Sequence, residues 1–423
     1  MARIYEYQGK EVLRKEGISV PEGSSVSSAA EAREVAQQIG KPVAVKAQIW
    51  ATGRFKAGGI KFANSPEQAE RAAQQLLGSA IKGLPVKKVL VEEKLDIDKE
   101  FYVGVIVSDS FEEKCPVLIF STEGGVTIEE VAARNPERVA RLSVDYLQDV
   151  GPAEAKQLLS KLSFNGALSP ELFAELSKVI CGLYKAFKEC DARTAEINPL
   201  VLTKDKHIYA ADCRFTIDDN AVFRHTEFGI TVPRDMTREP TELEKIAWTI
   251  EEGDYRGTGY FTQIATGFHE GEGYIGLHGT GGGASMIATG ALINRGFKVA
   301  NYADTSGDPP SSKVYRVIKC ILAQPIDGYV LMGSCLANQE QWYHGFAIVK
   351  ALTEEAKERP GFPLVILIAG NKEKQTHEII RNGLKDLPLR WELYGRDYIY
   401  NTDFIADRVK DLVEAYQKEK GWK

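Results

Sequence analysis

From about residue 274 onward, short apolar runs alternate with helical stretches five times. The strand candidates are Tyr274–His278, Val299–Ala303, Gly328–Met332, Leu364–Ile368 and Trp391–Tyr394. A loop bearing Gly, Ser or Asn follows each, and then an amphipathic helix. Near-continuous apolar strands need cover on both faces, and helices between them supply it, so the pattern predicts a doubly wound parallel sheet. In such a sheet every strand-to-helix loop lies at the strands' C-terminal edge, where ligands bind. Three loops there stand out: His278–Ser285, Thr305–Asp308 and Gly333–Asn338. Helix N-termini at that edge offer free N–H groups and the positive end of a dipole.

The first half reads as α+β. Helices are expected at about 5–16, 28–39, 65–77, 152–162 and 170–189, and strands near 42–48, 87–93, 100–108, 115–121, 194–202 and 207–213. Several strands are consecutive, which predicts antiparallel pairing. A chain of 423 residues exceeds one ordinary core. Pro233, Arg234, Asp235, Arg238, Glu239 and Pro240 interrupt any periodic pattern within a linker at 225–242. Two domains are therefore expected, 1–235 and 236–423.

Composition excludes several classes. Lys plus Arg number 53 against 59 for Asp plus Glu, a net charge of −6. That balance disfavours nucleic-acid binding, which needs dense positive charge. The longest apolar run, Pro363–Gly370, has the length of a buried strand, not of a membrane helix. The N-terminus lacks a signal peptide's apolar stretch. Neither the six cysteines nor the six histidines show metal-binding spacing. Reduced, mostly buried cysteines and a cytoplasmic location are expected.

Five segments carry chemistry. Ala195–Leu202 and His207–Asp212 read as a hairpin about Thr203–Lys206. Centred on Asp205, it opposes Asn198 to Asp212 and Glu196 to Arg214. Period-two alternation puts Glu196 and Asn198 on one face. Carboxylate and amide oxygens converging there suit Mg²⁺, although a solvated face with one Glu–Arg pair has the same pattern. Lys46 interrupts the apolar strand Pro42–Ala47, where burial is costly unless the charge is paired. Gly53–Gly59 follows, a basic glycine-rich turn able to close over phosphates through its N–H groups, or else an exposed hairpin tip. Val89–Leu95, with Glu92 and the nearby Glu100, could present backbone groups to a base and carboxylates to a ribose. Finally, Gly279–Ala284 fits G-x-G-x-x-A with Asp304 about twenty residues beyond. This allows an NAD-dependent oxidoreductase, a match that is cheap in a glycine run. Tight helix–sheet packing is the alternative there.

The order of these motifs resembles the β subunit of succinyl-CoA synthetase and the front module of ATP-citrate lyase, nearly end to end. The resemblance is carried by Glu6-Tyr7-Gln8 with Lys10, Val45-Lys46, Gly53-Arg54-x-Lys56-Ala57-Gly58-Gly59, Leu90-Val91-Glu92 with Lys99-Glu100, Ser121–Val126 and Glu196–Val201. It implies an ATP-grasp domain followed by a flavodoxin-like domain. It places Lys46, Gly53, Arg54, Phe55 and Glu100 on ATP, with Glu92 and Leu95 at the hinge beside adenine. Asn198 and Asp212 match Mg²⁺ ligands, and Glu196 matches a catalytic acid near the phosphohistidine loop of a partner. It further implies a smaller α-like subunit that carries the phosphorylated histidine and most of the CoA site.

Departures from the family pattern point to the acid substrate. Phe55 replaces the second glycine of Gly-Arg-Gly-Lys, and Arg214 stands where succinate enzymes usually have Lys. Gly333–Asn338 lacks their Gly-Gly-Ile-Val-Arg. Instead Gly281–Ser285, Ala300-Asn301-Tyr302 with Ser306-Gly307, and Ser334 with Ala337-Asn338 look like ATP-citrate lyase, although Leu364–Ile368 lacks the lyase's arginine. No citrate-synthase-like domain is present before Lys423. The chain is thus most like the large subunit of citryl-CoA synthetase. Thr280, Gly281, Gly282, Gly283, Ser334 and Asn338 are expected to bind citrate. The expected reaction joins citrate to CoA at the expense of ATP. Succinate–CoA or malate–CoA ligation and a non-catalytic regulatory partner are the alternatives.

Overall fold

The computed structural model describes residues 2–51, 53–164, 169–234, 238–252, 255–333 and 339–422. The chain divides into two compact units, Met1–Glu239 and Pro240–Lys423.

Two large antiparallel sheets, with a two-stranded one at Ala80–Ile81 and Leu84–Pro85, build the first unit. The smaller runs Gly23–Val26, Val89–Glu93, Val43–Ala47, Ile60–Ala63. Its two central strands are almost wholly buried, as their apolar sequences require. Helices Ala29–Ile39 and Pro66–Leu76 pack against it through Ala32, Ala36, Ala69 and Ala73, whose small side chains allow a close approach. Both helices start at a serine. Ser28 Oγ accepts the Glu31 N–H at 3.2 Å and Ser65 Oγ the Gln68 N–H at 3.3 Å, satisfying donors that the first turn leaves free.

The larger sheet orders Ala2–Arg3, Cys213–Ile217, Ala192–Thr203, Ile97–Val107, Pro116–Ser121 and Val139–Ser143, with Ile208–Ala210 also paired to Ala192–Thr203. Helix Pro170–Glu189 carries Leu176, Ile180, Leu183 and Phe187 at helical spacing, and all four are buried in the core of this lobe. The N-terminal helix Glu6–Lys15 lies on Cys213–Ile217. Gly9 makes that approach possible, because a Cβ there would fall 2.8 Å from Cys213 Sγ. Residues 94–96 lead directly from Val89–Glu93 in the small sheet to Ile97–Val107 in the large one.

The second unit holds a sheet ordered Tyr260–Gln263, Asn301–Asp304, Tyr274–Gly279, Gly328–Met332, Pro363–Leu367, Arg390–Tyr394. The last five strands are parallel, and Tyr260–Gln263 is antiparallel. Numbered along the chain, the parallel strands lie in the flavodoxin-like order 2-1-3-4-5. Val330, Met332, Val365 and Leu367 pack toward helices Gly282–Ile293 and Thr402–Glu419. Tyr329, Leu331, Leu364 and Ile366 pack toward Ser311–Leu322, Trp342–Glu355 and Glu373–Leu384. Alternate residues of one strand thus serve opposite layers, which is why these strands are apolar throughout.

Apart from two-residue strands, four escape the pattern analysis: Gly23–Val26, Ile60–Ala63, Val139–Ser143 and Tyr260–Gln263. All are sheet edges. An edge strand is wetted on one side and carries polar residues where a central strand cannot, so its apolar signal fades.

Candidate active site

The four segments singled out in the first unit converge on one buried charged cluster. Helix Glu6–Lys15 contributes Glu6 and Lys10, strand Val43–Ala47 contributes Lys46, and the turn after it contributes Arg54. Strand Val89–Glu93 adds Glu92, and the hairpin adds Asp212. Glu6 Oε1 lies 3.0 Å from both Lys10 Nζ and Lys46 Nζ, and Oε2 lies 2.7 Å from Arg54 Nη2. Glu92 bonds Lys10 at 2.5 Å and Lys46 at 2.6 Å through separate oxygens. Gln48 closes the rim, its Nε2 donating to Glu6 Oε2 at 3.3 Å.

Burial opposes ionisation of Glu6, but Arg54, Lys10 and Lys46 overcome it and hold its carboxyl well below the usual range. Burial likewise works against the Lys46 ammonium, yet Glu6, Glu92 and Asp212 raise its pKa. Glu6 and Lys46 are thus each held in the charged form by their partners, where the lobes of this unit meet.

Arg54 is buried, while its neighbour Phe55 is 63% exposed. The Phe55 ring lies 6.4 Å from that of Phe62. Within the turn, the N–H groups of Ala57, Gly58 and Gly59 already donate to the carbonyls of Gly53, Phe55 and Arg54. In this conformation the turn's cationic reach comes from the Arg54 side chain, not from those three N–H groups. Gly53 takes φ 65°, a left-handed conformation that favours glycine. Glu92 is turned inward onto two lysines. Leu95 is half-buried in the 94–96 connection, and Glu100 is half-buried with its carboxylate against Gly125. Lys99, Glu100, Phe101, Thr122, Glu123, Gly124 and Arg138 line part of a cavity of about 370 Å³.

The hairpin has the register read from the sequence. Glu196 pairs with Arg214, Ile197 with Cys213 and Leu200 with Ala210. Asn198 N–H donates to Asp212 O at 3.0 Å, across a cis Asn198–Pro199 peptide. Asn198 Oδ1 accepts the Gly125 N–H at 2.8 Å. Asp212 keeps a side chain 29% exposed, its carboxylate bound by Arg54. A carboxylate and an amide oxygen from opposed positions of one hairpin are a donor set that suits a hard divalent cation completing its shell with water and phosphate. Among the described residues there is no cluster of three or more His, Cys, Asp or Glu to compete for a metal. Glu196 accepts a hydrogen bond from Tyr102 Oη at 3.2 Å, with Arg214 at 3.9 Å. Burial raises its pKa despite the opposing pull of Arg214 and Tyr102.

In the second unit the glycine run divides by purpose. A Cβ on Gly279 would lie 1.7 Å from Ser285 Oγ, so packing requires glycine there. Gly283 faces open space and Gly282 meets only Tyr302 Oη at 3.5 Å, so packing requires neither. Both open the exposed N-terminus of helix Gly282–Ile293. Gly281 has φ 135° and donates its N–H to Asp304 Oδ1 at 2.9 Å. That contact turns the acid of the G-x-G-x-x-A pattern onto the loop itself. Thr280 lies at the same edge. Ser334 and Asn338 lie outside the described residues. Beneath the loop, His278 is fully buried between Tyr329 Oη at 2.6 Å and Thr305 Oγ1 at 2.7 Å.

Residues 3–202 match the ATP-grasp domain family, and residues 267–408 match the ATP citrate lyase citrate-binding family. The succinate–CoA ligase [GDP-forming] subunit beta of Thermus thermophilus is 37% identical over 381 residues, covering 89% of this chain and 93% of that protein. The chain belongs to the succinate–CoA ligase β-subunit family. A second member of the family, the ADP-forming subunit beta of Methanothermobacter thermautotrophicus, is 34% identical over 381 residues, covering 90% and 93%. The fold extends beyond the family. It matches the structure of ATP citrate lyase from Methanothrix soehngenii in complex with citrate and coenzyme A with a TM-score of 0.75, at 19% identity over 97% of this chain and 99% of that one.

Sequence reasoning on single residues gave Glu6, Lys10, Gln48 and Tyr102 no role. One signal was available. Glu6, Lys10 and Leu13 recur at helical spacing on one face, so two charges occupy positions of a core-facing stripe.

Proposed function

We propose that this chain is the ATP-binding subunit of an ADP-forming citrate–CoA ligase. One observation carries the reading: an ATP-grasp match over 3–202 and a citrate-binding match over 267–408 occur in the same chain.

Lys46 and Arg54 receive the ATP phosphates, and their buried setting strengthens each contact. Leu95 and Glu92, at and beside the crossing between sheets, border the base, and Glu100 serves the ribose. Asp212 and Asn198 hold Mg²⁺, which when bound neutralises charge on the phosphates. The γ-phosphoryl group passes to a histidine of a smaller partner subunit, close to Glu196. From there it goes to a citrate carboxylate, and CoA thiolate displaces phosphate to give citryl-CoA. Gly282 and Gly283 offer backbone N–H groups and a helix N-terminus to the tricarboxylate, Gly281 and Thr280 shape the approach to them, and Ser334 and Asn338 are further substrate contacts on the sequence reading. Like other phosphoryl transfers, the reaction asks the protein mainly for position and compensating charge. The partner supplies most of the CoA site, and the enzyme works in the cytoplasm. No helix among the described residues is long and apolar enough to cross a membrane.

A second reading, succinate as the acid, is favoured by the names of the relatives at 37% and 34% identity. The test is co-purification with the smaller subunit, followed by ATP-dependent CoA-ester formation with citrate, succinate and malate. Turnover of citrate alone supports the first reading. Turnover of succinate without citrate replaces it with the second.

A further inference from the structure

Lys10 and Lys46 stand on different lobes of the first unit yet share the same acceptors. Lys10 Nζ lies 3.0 Å from Glu6 Oε1, 2.5 Å from Glu92 Oε2 and 2.8 Å from Ala211 O. Lys46 Nζ lies 3.0 Å from Glu6 Oε1, 2.6 Å from Glu92 Oε1 and 2.7 Å from Ala211 O. An ammonium has three protons, so every Lys46 donor is already committed. A phosphate can recruit Lys46 only by taking one of them away.

That exchange would strip a counter-charge from Glu6 and Glu92, two carboxylates almost wholly removed from solvent. An uncompensated buried charge is expensive, and the acids would pull Lys46 back. Lys10 changes the balance. It is 3% exposed, bonds both carboxylates, and is anchored on a helix that packs against the larger sheet.

We propose that Lys10 is a positioning residue that releases Lys46 for the nucleotide, by keeping a shared counter-charge on Glu6 and Glu92 when Lys46 turns to the phosphates. The proposal rests on Lys46 as a phosphate contact, and the experiment separates the two ideas.

MgATP affinity of the full chain is measured by calorimetry for K10Q, K10R, K46Q, E92Q and K10Q/E92Q. Lys10→Gln is expected to weaken binding about tenfold or more, the scale on which one uncompensated buried charge acts. Lys10→Arg retains the charge and keeps most of the affinity. Lys10→Gln with Glu92→Gln removes one charge of each sign and is expected to return affinity to within about threefold of E92Q alone. A purely structural role would not be rescued in this way. Wild-type affinity in K10Q, with binding lost in K46Q, overturns the role of Lys10 and leaves the ATP site standing. A double variant well below E92Q also overturns it, and that comparison holds even if K10Q alone does not fold. Wild-type affinity in K46Q removes the ATP-site reading and this proposal with it.

Discussion

One nitrogen of Arg54, Nη2, lies 2.8 Å from Oδ1 and 2.7 Å from Oδ2 of Asp212. The same nitrogen reaches Glu6 Oε2 at 2.7 Å. The guanidinium thereby occupies both oxygens through which Asp212 could engage a cation. Asp212→Asn preserves shape and removes the charge, while Glu6 still holds Arg54. The expected outcome is a fall of about 100-fold or more in MgATP-dependent phosphorylation of the partner, the scale of losing one well-placed electrostatic contact. Retained assembly by sedimentation and lost phosphoryl transfer are the paired readouts. Near-normal transfer would remove Asp212 from the metal site.

Glu196 gives a pH prediction. Its folded-state pKa is raised, chiefly by burial. Between the ordinary carboxyl value and the raised one, the folded form keeps a proton that the unfolded form has released. Stability contributed by this group is therefore present at low pH and lost as pH rises through the folded value. Glu196→Gln removes the titration. The difference in thermal midpoint, variant minus wild type, should grow as pH rises from 4 to 7. A flat difference would show that the carboxyl is not desolvated in solution.

The glycine loop separates packing from binding. Gly279→Ala forces a Cβ onto Ser285 and is expected to cost about 1–3 kcal/mol. Gly283→Ala meets open space within a helix, where alanine is favoured by about 0.5–1 kcal/mol. Urea unfolding should order the stabilities G283A, wild type, G279A. The G283A variant should nevertheless raise KM for the acid substrate with little change in KM for ATP. Equal KM values for the acid would take this helix start out of the substrate site.

His278 and His344 are both buried in the second unit, and burial lowers their pKa values to about 3 and about 4 from 6.5. Both stay neutral in the folded state while the unfolded chain protonates below 6.5. Their contribution to stability is present above that value and lost as pH falls toward the folded values. Each should add a slope of about 1.4 kcal/mol per pH unit well below pH 6.5. Urea titrations of wild type and His278→Gln between pH 5 and 7 should differ by about one such slope at the acid end. Parallel curves would mean that His278 takes up its proton in the native state.

Legibility followed locality. The strand Gly328–Met332 was read to the residue, because a central parallel strand carries its burial in its own sequence. The Glu196–Arg214 pairing was equally legible, since a short turn fixes register without help from the rest of the chain. Edge strands such as Val139–Ser143 were missed for the converse reason: only their neighbours make them strands. The turn at Gly53–Gly59 is legible in the sequence, but not that the N–H groups of Ala57, Gly58 and Gly59 are used within it.

The same distinction separates what this sequence decides alone from what it leaves to the fold. Periodicity and turn residues determine the flavodoxin-like layer and the hairpin that pairs Asn198 with Asp212, because each depends on residues close in the chain. The shared acceptors of Lys10 and Lys46 depend on segments near residues 6, 46, 92 and 211 being brought within hydrogen-bond reach. No local pattern encodes that proximity. Only the packing of the N-terminal helix and the two sheets places Glu6 and Glu92 with Lys10, Lys46 and Arg54 in one desolvated volume, where each is tolerable because the others are there.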